Sequence, residues 1–129
     1  MKAYDINASF VHLQEDLRGE LLPGGDAFWA ALAKGAYPQL DRGRLLSSYD
    51  FSEPWPTWER HLAGEEIVLL LSGTVELVLE AERDEQLVLL DRVGAFALVP
   101  KGVWHTARTT QASCLMFVTP GGETQHRVL

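Results

Sequence analysis

The sequence has few of the features that would set it apart from an ordinary globular protein. Among 129 residues there is one cysteine, Cys114, which excludes an internal disulfide and favours a reducing compartment. Residues 1–10 contain no long apolar segment, so we expect neither a signal peptide nor a membrane span. Together these absences predict a cytoplasmic protein.

An excess of basic residues is also missing. The chain has 11 Lys and Arg against 18 Asp and Glu, a formal net charge of -7. An acidic protein is not attracted to the phosphates of nucleic acid or to an anionic membrane surface, so we expect neither as a partner. Internal repeats, low-complexity tracts and linkers are absent, which predicts one domain over residues 1–129 with its own core.

Short apolar segments separated by turns make up most of the chain. The turns recur about every eight to twelve residues, the spacing typical of a β-sandwich or barrel. Ser72-Gly73 is predicted to be the turn of a hairpin, and the runs IVLLL and LVLL indicate strands covered on both faces. The predicted strands are residues 42–50, 65–71, 74–80, 86–92, 95–99, 104–109 and 113–118.

The N-terminal region has a different pattern. Residues 1–22 predict an extended arm or edge strand, and Asp26 is expected to cap a short helix that ends at Gly35. The double glycine before Asp26 lacks the strand and GxxxxGK(S/T) context of a phosphate loop, which favours a helix start. We therefore divide the chain into an arm and short helix (residues 1–40), an all-β barrel (about residues 41–119) and a C-terminal tail (residues 120–129).

Four side chains are candidates for a metal site. Glu59 and His61 are two residues apart, so they lie on one face of a strand. Glu66 begins an apolar run, where a carboxylate is costly to bury unless a cation neutralises it. We place Glu66 on the strand next to that of Glu59 and His61, and His105, after a Pro-x-Gly turn, elsewhere on the barrel. Two histidines and two carboxylates could then bind one divalent cation.

The stretches 53–73 and 94–109 resemble the two motifs of the cupin superfamily, G-x5-H-x-H-x3,4-E-x6-G and G-x5-P-x-G-x2-H-x3-N. Glu59 stands at the first motif histidine, Glu53 at the leading glycine and Thr109 at the final asparagine. The chain also resembles small single-domain cupins with glutamate in the first ligand position and a TPG…HR segment, here residues 119–121 and 126–127. The matching positions are His61, Glu66 and Gly73 in the first motif and Gly94, Pro100, Gly102 and His105 in the second.

The resemblance implies a double-stranded β-helix, or jelly-roll barrel, with a divalent ion such as Fe, Mn, Zn, Ni or Co. It implies a small-molecule substrate and oxygenase, isomerase or lyase chemistry at the metal. It also implies a homodimer, in which the arm of residues 1–22 is predicted to add a strand to the partner. His126 is a candidate to contact one of the metal ligands without binding the metal itself. The implied metal ligands are Glu59, His61, Glu66 and His105.

Several alternatives stay open from the sequence. His61, Glu66 and His105 could be relics of a site without metal. The protein could be a non-catalytic module that binds or senses a small ligand, or a purely structural dimer, so whether it is an enzyme is undecided. The side chains expected to face away from the ligands are Trp58, Arg60 and Trp104. The residues predicted to line the barrel or lie in the core, with the core favoured, are Phe96, Leu98, Met116 and Val118.

Overall fold

The computed structural model describes residues 1–129 and consists mostly of antiparallel strands. One short α-helix, α1 (Asp26–Ala33), and a 3-10 turn (Pro38–Asp41) lie near the N-terminus. The predicted all-β fold with a short N-terminal helix is therefore confirmed. The strands are β1 (Ser9–Leu13), β2 (Gly19–Pro23), β3 (Arg44–Phe51), β4 (Thr57–His61), β5 (Glu66–Ser72), β6 (Val75–Glu80), β7 (Glu85–Leu90), β8 (Phe96–Val99), β9 (His105–Arg108), β10 (Ser113–Pro120) and β11 (Thr124–Val128).

The strands form two sheets that face each other. The large sheet has six strands in the order β2-β1-β3-β10-β5-β8, and the small sheet has five in the order β11-β4-β9-β6-β7. Successive side chains of a strand point to opposite faces, so every second residue enters the space between the sheets. The core lies there, where Val68, Leu70 and Leu115 of the large sheet belong to one cluster with Val75 and Leu77 of the small sheet.

Ser72-Gly73 connects β5 of the large sheet to β6 of the small sheet, so the predicted hairpin is wrong. Gly73 has a φ of +80°, and a Cβ atom there would lie 2.2 Å from Ser113 Oγ, so the turn requires glycine. Alternate residues of both strands are apolar and fully buried, as at Leu70 and Leu77. Two such faces are buried most completely when they meet across a sandwich, which favours separate sheets.

The N-terminal arm is part of the large sheet. Strand β1 pairs with both β2 and β3 of the same chain. Phe10 and Leu22 pack with Phe28 of α1 and Leu45 of β3 in a second core, and the rings of Phe10 and Phe28 meet edge to face at 4.9 Å. Phe10 and Leu22 of the arm are therefore buried within their own chain, and the arm is not a free strand.

Helix α1 differs at its start from the sequence prediction. Gly25, with a φ of +86°, holds the N-cap position, so Asp26 lies in the first turn and does not cap the helix. Gly35 ends the helix as predicted, with a φ of +79°, and the Ala36 N–H donates to the Ala31 carbonyl across this end. The helix has eight residues, and no helix of the chain combines the length and apolar character needed to cross a membrane.

Two predictions about buried residues are wrong at the sheet edges. β7 lies at one edge of the small sheet and β8 at one edge of the large sheet. Leu87 and Leu89 on β7 are more than half exposed, so the LVLL run is covered on one face only. Phe96 and Leu98 on β8, predicted as core, are also more than half exposed. Each sheet of a sandwich is covered on its inner face alone, so an apolar run does not require two covered faces.

Candidate metal centre

The structure brings the four predicted side chains together. Glu59 and His61 lie on β4, Glu66 is the first residue of β5, and His105 is the first residue of β9. One ligand atom from each residue can be chosen so that all four atoms lie within 4.8 Å of one another. His61, Glu66 and His105 are buried, while the Glu59 side chain is 22% exposed. The cluster is therefore compact enough for a single ion.

The candidate ligands are divided between the two sheets in a way that the sequence did not predict. Glu59 is the register partner of His105, since β4 pairs with β9 in the small sheet. Glu66 lies on β5 of the large sheet, across the interior, so its predicted place on the strand next to β4 is wrong. The segment around Ala63-Gly64 passes from one sheet to the other. The two carboxylates therefore approach the two imidazoles from opposite sheets.

Each imidazole directs its Nε2 atom at the carboxylates. His61 Nε2 and His105 Nε2 each lie 3.1 Å from an oxygen of Glu66. The same nitrogens lie 3.6 and 3.4 Å from Glu59 Oε1. One potential metal-ligand atom from each of the four residues thus faces the same small space.

The Nδ1 atoms of both imidazoles, which we call the outer nitrogens, lie within hydrogen-bond distance of other groups. His105 Nδ1 lies 3.1 Å from the Val103 carbonyl, which can only accept, so Nδ1 carries the hydrogen. In neutral His105 the lone pair is then on Nε2 and faces carboxylate oxygens. His61 Nδ1 lies 2.9 Å from Thr124 Oγ1, and the buried His61 Nε2 faces Glu66 Oε2 at 3.1 Å. Lone pairs that face carboxylates require a proton or a cation between them.

The ionisation of the imidazoles fits this requirement. Burial lowers the pKa of His61, but the nearby Glu59 and Glu66 carboxylates more than offset this and raise the pKa to about 9. The same balance of burial against the two carboxylates raises the pKa of His105 to about 10. Without metal, both rings are therefore protonated at neutral pH. A divalent cation has the same charge as the two protons that it would replace.

The carboxylates stay ionised for the complementary reason. Burial raises the pKa of Glu59, but hydrogen bonds with His105, His126 and His61 outweigh it and hold the pKa well below its usual range. The pKa of Glu66 is also lowered, because hydrogen bonding to His105 and His61 outweighs burial. The cluster therefore presents two negative charges in the interior.

Two threonines that the sequence did not single out hold the cluster in place. Thr119 donates a hydrogen bond of 2.6 Å to Glu66 Oε2, and Thr124 contacts His61 Nδ1. Alternation along β10, where Leu115 and Phe117 point inward, would have predicted an inward Thr119. Thr124 had no such signal, because the segment predicted as a tail contains β11, which pairs with β4.

His126 lies beside the cluster. It is the register partner of Glu59, and its Nε2 atom is 3.5 Å from Glu59 Oε2. Hydrogen bonding to Glu59 raises the pKa of His126. Its side chain is 59% exposed, so it contacts Glu59 from the solvent side.

The cluster adjoins a cavity of about 600 Å³, a volume typical of small-molecule sites. Glu59, His61 and Glu66 line this cavity, and His105 is fully buried. On the far side of the small sheet, Arg60 stacks on Trp104 at 4.6 Å. The donor set of two imidazoles and two carboxylates fits a divalent first-row ion, and a ligand in the cavity would reach such an ion.

Comparison with solved structures relates the chain to proteins of known fold. A cupin-2 domain protein from Shewanella frigidimarina matches with a TM-score of 0.50 and 23% identity, over 60% of this chain and 70% of that one. Hydroxypropylphosphonic acid epoxidase from S. wedmorenis, in complex with fosfomycin, matches with a TM-score of 0.50 and 21% identity. That match covers 59% of this chain but only 43% of the epoxidase. FeII HppE matches with a TM-score of 0.50 and 22% identity, over 59% and 43% of the two chains.

Sequence comparison adds nothing to this, since no protein-family model and no curated protein matches the chain. At identities below one quarter, the structural matches show the fold and no more. The fold is the cupin jelly roll that the two sequence motifs predict, so that prediction is confirmed.

Proposed function

We propose that this cupin-fold protein binds one divalent metal ion through Glu59, His61, Glu66 and His105 and acts there on a small molecule. The observation that carries the proposal is the orientation of the two Nε2 atoms toward two carboxylates beside a cavity. The outer nitrogens are held by Val103 and Thr124, which leaves the inner nitrogens to the ion.

The chemistry of the donor set suggests what a bound ion would do. Four protein ligands leave positions free in a six-coordinate shell, and free positions distinguish catalytic from structural metal sites. A divalent ion supplies Lewis acidity, and a redox-active one also supplies electrons, which suits oxygenase, isomerase or lyase reactions. Thr119 holds Glu66 in place, and we propose that His126 orients Glu59 from the solvent side.

The identity of the ion is proposed only as a class. Fe, Mn, Zn, Ni and Co all accept imidazole and carboxylate ligands. The structural neighbour FeII HppE contains iron(II), so iron is among the ions that we propose. A reducing cytoplasmic location, which the single cysteine predicts, would keep iron and manganese divalent.

A second candidate function is non-catalytic binding or sensing of a small ligand in the same cavity. The observation that favours it is the position of the remaining ionisable groups. Asp41 and His126 line the cavity but are exposed at its rim, so neither is a buried acid or base. Apart from the cluster residues, the cavity therefore has no buried acid or base, which suits binding without turnover.

Metal analysis of the purified protein tests the main proposal. We expect about one divalent ion per chain, and we expect it to be lost in the double variant His61→Ala/His105→Ala. Glu85→Gln, an exposed carboxylate on β7, is the matched control and should keep the ion. Wild-type protein that takes up no divalent ion from a metal-supplemented buffer would refute the metal site and favour the binding module.

The outer face of the large sheet supports the predicted homodimer, which is also a proposal. The strand register aligns one outward apolar residue from each of the six strands, and none of them is buried. This row, which we name the apolar row, runs from one sheet edge to the other without a charged residue. It consists of Leu21, Val11, Leu46, Val118, Ile67 and Leu98.

A second copy of the chain is the occupant that we propose for the apolar row. A continuous apolar face of this width is typical of an interface, and a sheet face can pack on its own copy about a two-fold axis. The contact would be face to face, because the arm already pairs within its own chain.

Light scattering at micromolar concentration tests the dimer. We expect twice the chain mass for the wild type and a mass near 14.4 kDa for Ile67→Lys, which places a charge within the row. Leu89→Lys, on the exposed face of the small sheet, is the matched control and should remain dimeric. A wild-type mass near 14.4 kDa, that of a single chain, would refute the proposed dimer.

A further inference from the structure

The cavity beside the metal cluster is lined from both apolar cores of the molecule. Trp55 and Phe117 line it from the main core, in which both pack. The lining residues that pack on the second core come from α1 and the 3-10 turn, and they are Trp29, Leu32, Tyr37 and Leu40. Two sets of apolar side chains therefore line the cavity, and we name these six residues the apolar wall.

The part of the apolar wall that belongs to α1 keeps some of its apolar surface uncovered. Phe28 of this helix is 1% exposed, whereas Trp29 and Leu32 are only half-buried. Trp29 and Leu32 are three residues apart, so they share one side of the helix, and both line the cavity. Helix α1 thus packs Phe28 into the second core and presents two apolar side chains to the cavity. Apolar surface in contact with water favours an apolar occupant.

The apolar wall adjoins the metal cluster through the end of β10. Phe117 and Thr119 lie on the same face of this strand, about 7 Å apart, and Thr119 donates a 2.6 Å hydrogen bond to Glu66. Two residues after Thr119, a Cβ atom at Gly121 would lie 2.7 Å from the Leu40 carbonyl oxygen, so the 3-10 turn packs directly against this segment. Both parts of the apolar wall therefore lie next to the segment that holds Glu66, and one ligand can contact the wall and an ion at the cluster.

Positive charge is available to a ligand only at the cluster end of the cavity. No lysine or arginine lines the cavity. The lining carboxylates and imidazoles are Glu59, His61 and Glu66 of the cluster, His126 in contact with Glu59, and Asp41 at the rim. An anionic oxygen can bind the proposed ion, or protonated imidazoles in its absence. A second anionic group, on the body of the ligand, would lie against the apolar wall without a partner.

We infer that the cavity takes a small molecule with one metal-binding oxygen group at one end and an apolar body that has no second charge. The oxygen group occupies an open position of the ion, and the apolar wall packs on the body. Monocarboxylic acids with an aromatic or alicyclic body belong to this class. The inference deepens the proposed function and rests on it for the end of the ligand that meets the ion, whereas packing on the apolar wall needs no ion.

Three carboxylates test the ligand class by calorimetric titration of zinc-loaded protein. Naphthoate has one carboxylate on an apolar two-ring body, naphthalenedicarboxylate adds a second carboxylate at the opposite end, and acetate is the oxygen group alone. We expect naphthoate to bind at least about tenfold more tightly than either, because it alone buries an apolar body without an unpartnered charge. Equal or tighter binding of the dicarboxylate or of acetate, or no binding of naphthoate, would overturn the inference.

Variants of Leu32 test the contact with the apolar wall. Leu32→Asp places a carboxylate in the wall, and we expect it to weaken naphthoate binding at least about tenfold with metal affinity unchanged. Leu89→Asp, at an exposed position on β7, is the matched control and should bind naphthoate as the wild type does. Leu32→Asn is polar but uncharged, should also weaken binding, and serves if Leu32→Asp does not fold. Unchanged naphthoate affinity in the folded Leu32 variants contradicts the inference.

Metal content, measured on the same samples, separates this test from that of the proposed function. Zinc-loaded protein that binds no naphthoate overturns the inference and leaves the metal site standing. Equal naphthoate affinity in zinc-loaded and chelator-treated protein contradicts the metal-binding end of the ligand. If the protein takes up no metal, the proposed function fails. Naphthoate binding that Leu32→Asp weakens would then still support the apolar body, and its absence would overturn the inference as well.

Discussion

Between the two sheets, the apolar core around Leu70 and Leu77 and the cluster around Glu66 and His105 are both almost fully buried. The core residues are satisfied by one another, because apolar side chains need only close contact. The cluster residues present lone pairs and negative charges, which need protons or a cation. The same interior therefore contains an apolar region that stabilises the fold and a charged region whose stability depends on protons or a cation.

The difference shows how a small sandwich holds a charged site. The cluster is kept in place by hydrogen bonds with groups around it: Thr119 donates to Glu66, and His105 donates to the Val103 carbonyl. The apolar core supplies the free energy of folding that makes such an arrangement tolerable. Changes in the two regions should consequently affect different measurements.

The largest expected effect separates the regions directly. Leu70→Ala removes a fully buried core side chain and should lower the free energy of unfolding by about 2–5 kcal/mol in urea titrations. The folded variant should keep its metal affinity. His105→Ala should lower metal affinity by more than about 100-fold in a competition titration, since it removes one of the four proposed ligands. His105→Ala protein that binds metal like the wild type would contradict the ligand assignment.

Metal removal at two pH values should distinguish the charged cluster from the apolar core, because only the cluster titrates. The pKa values of His61 and His105 are raised to about 9 and about 10 in the metal-free fold. Their stabilising contribution is thus fully present below about pH 6.5 and is lost as pH rises through the folded pKa values. Chelator-treated protein should melt below the metal-loaded form at pH 7, and the gap should widen at pH 10.

Thermal melting with and without chelator measures this gap. Leu70→Ala should lower both melting curves and leave the gap between them unchanged, because the core does not titrate. Identical curves for chelated and metal-loaded wild type at both pH values would mean that the cluster binds no stabilising ion.

A smaller effect is expected at Glu59, the ligand position where the motif has histidine. Glu59→Gln keeps the shape and removes the charge, so metal affinity should fall about 10- to 100-fold without loss of the fold. Glu85→Gln again controls for loss of one carboxylate. If Glu59→Gln binds metal like the wild type while His61→Ala and His105→Ala lose it, the site has two histidines and one carboxylate.

The smallest effect is expected at Thr119. Thr119→Val removes the hydrogen bond to Glu66 but keeps the side-chain volume, and it should weaken metal binding by about tenfold. Thr110→Val, at an exposed position, should change nothing. An unaltered metal affinity in folded Thr119→Val would show that Glu66 does not depend on this contact.

The strands and the candidate ligands were predictable, but their neighbours in space were not. Residues 74–80 were predicted as a strand and form β6 (Val75–Glu80). The ligand candidates followed from residue type and motif spacing, and the structure places them together. Thr124 was missed, because nothing in the segment 120–129 predicted that it pairs with β4. Phe96 and Leu98 were assigned to the core, although the apolar pattern does not distinguish an exposed sheet face from a buried one.

Local physical chemistry determined what the sequence could predict by itself. Alternation sets which side chains share a face of a strand, as with Glu59 and His61, and a required positive φ places glycine at Gly35. Only the tertiary structure decided that His105 lies beside Glu59 and that Glu66 faces them from the opposite sheet. Strands far apart in sequence choose their neighbours by the apolar surface that the whole sandwich buries. That quantity belongs to the complete fold and to no single segment.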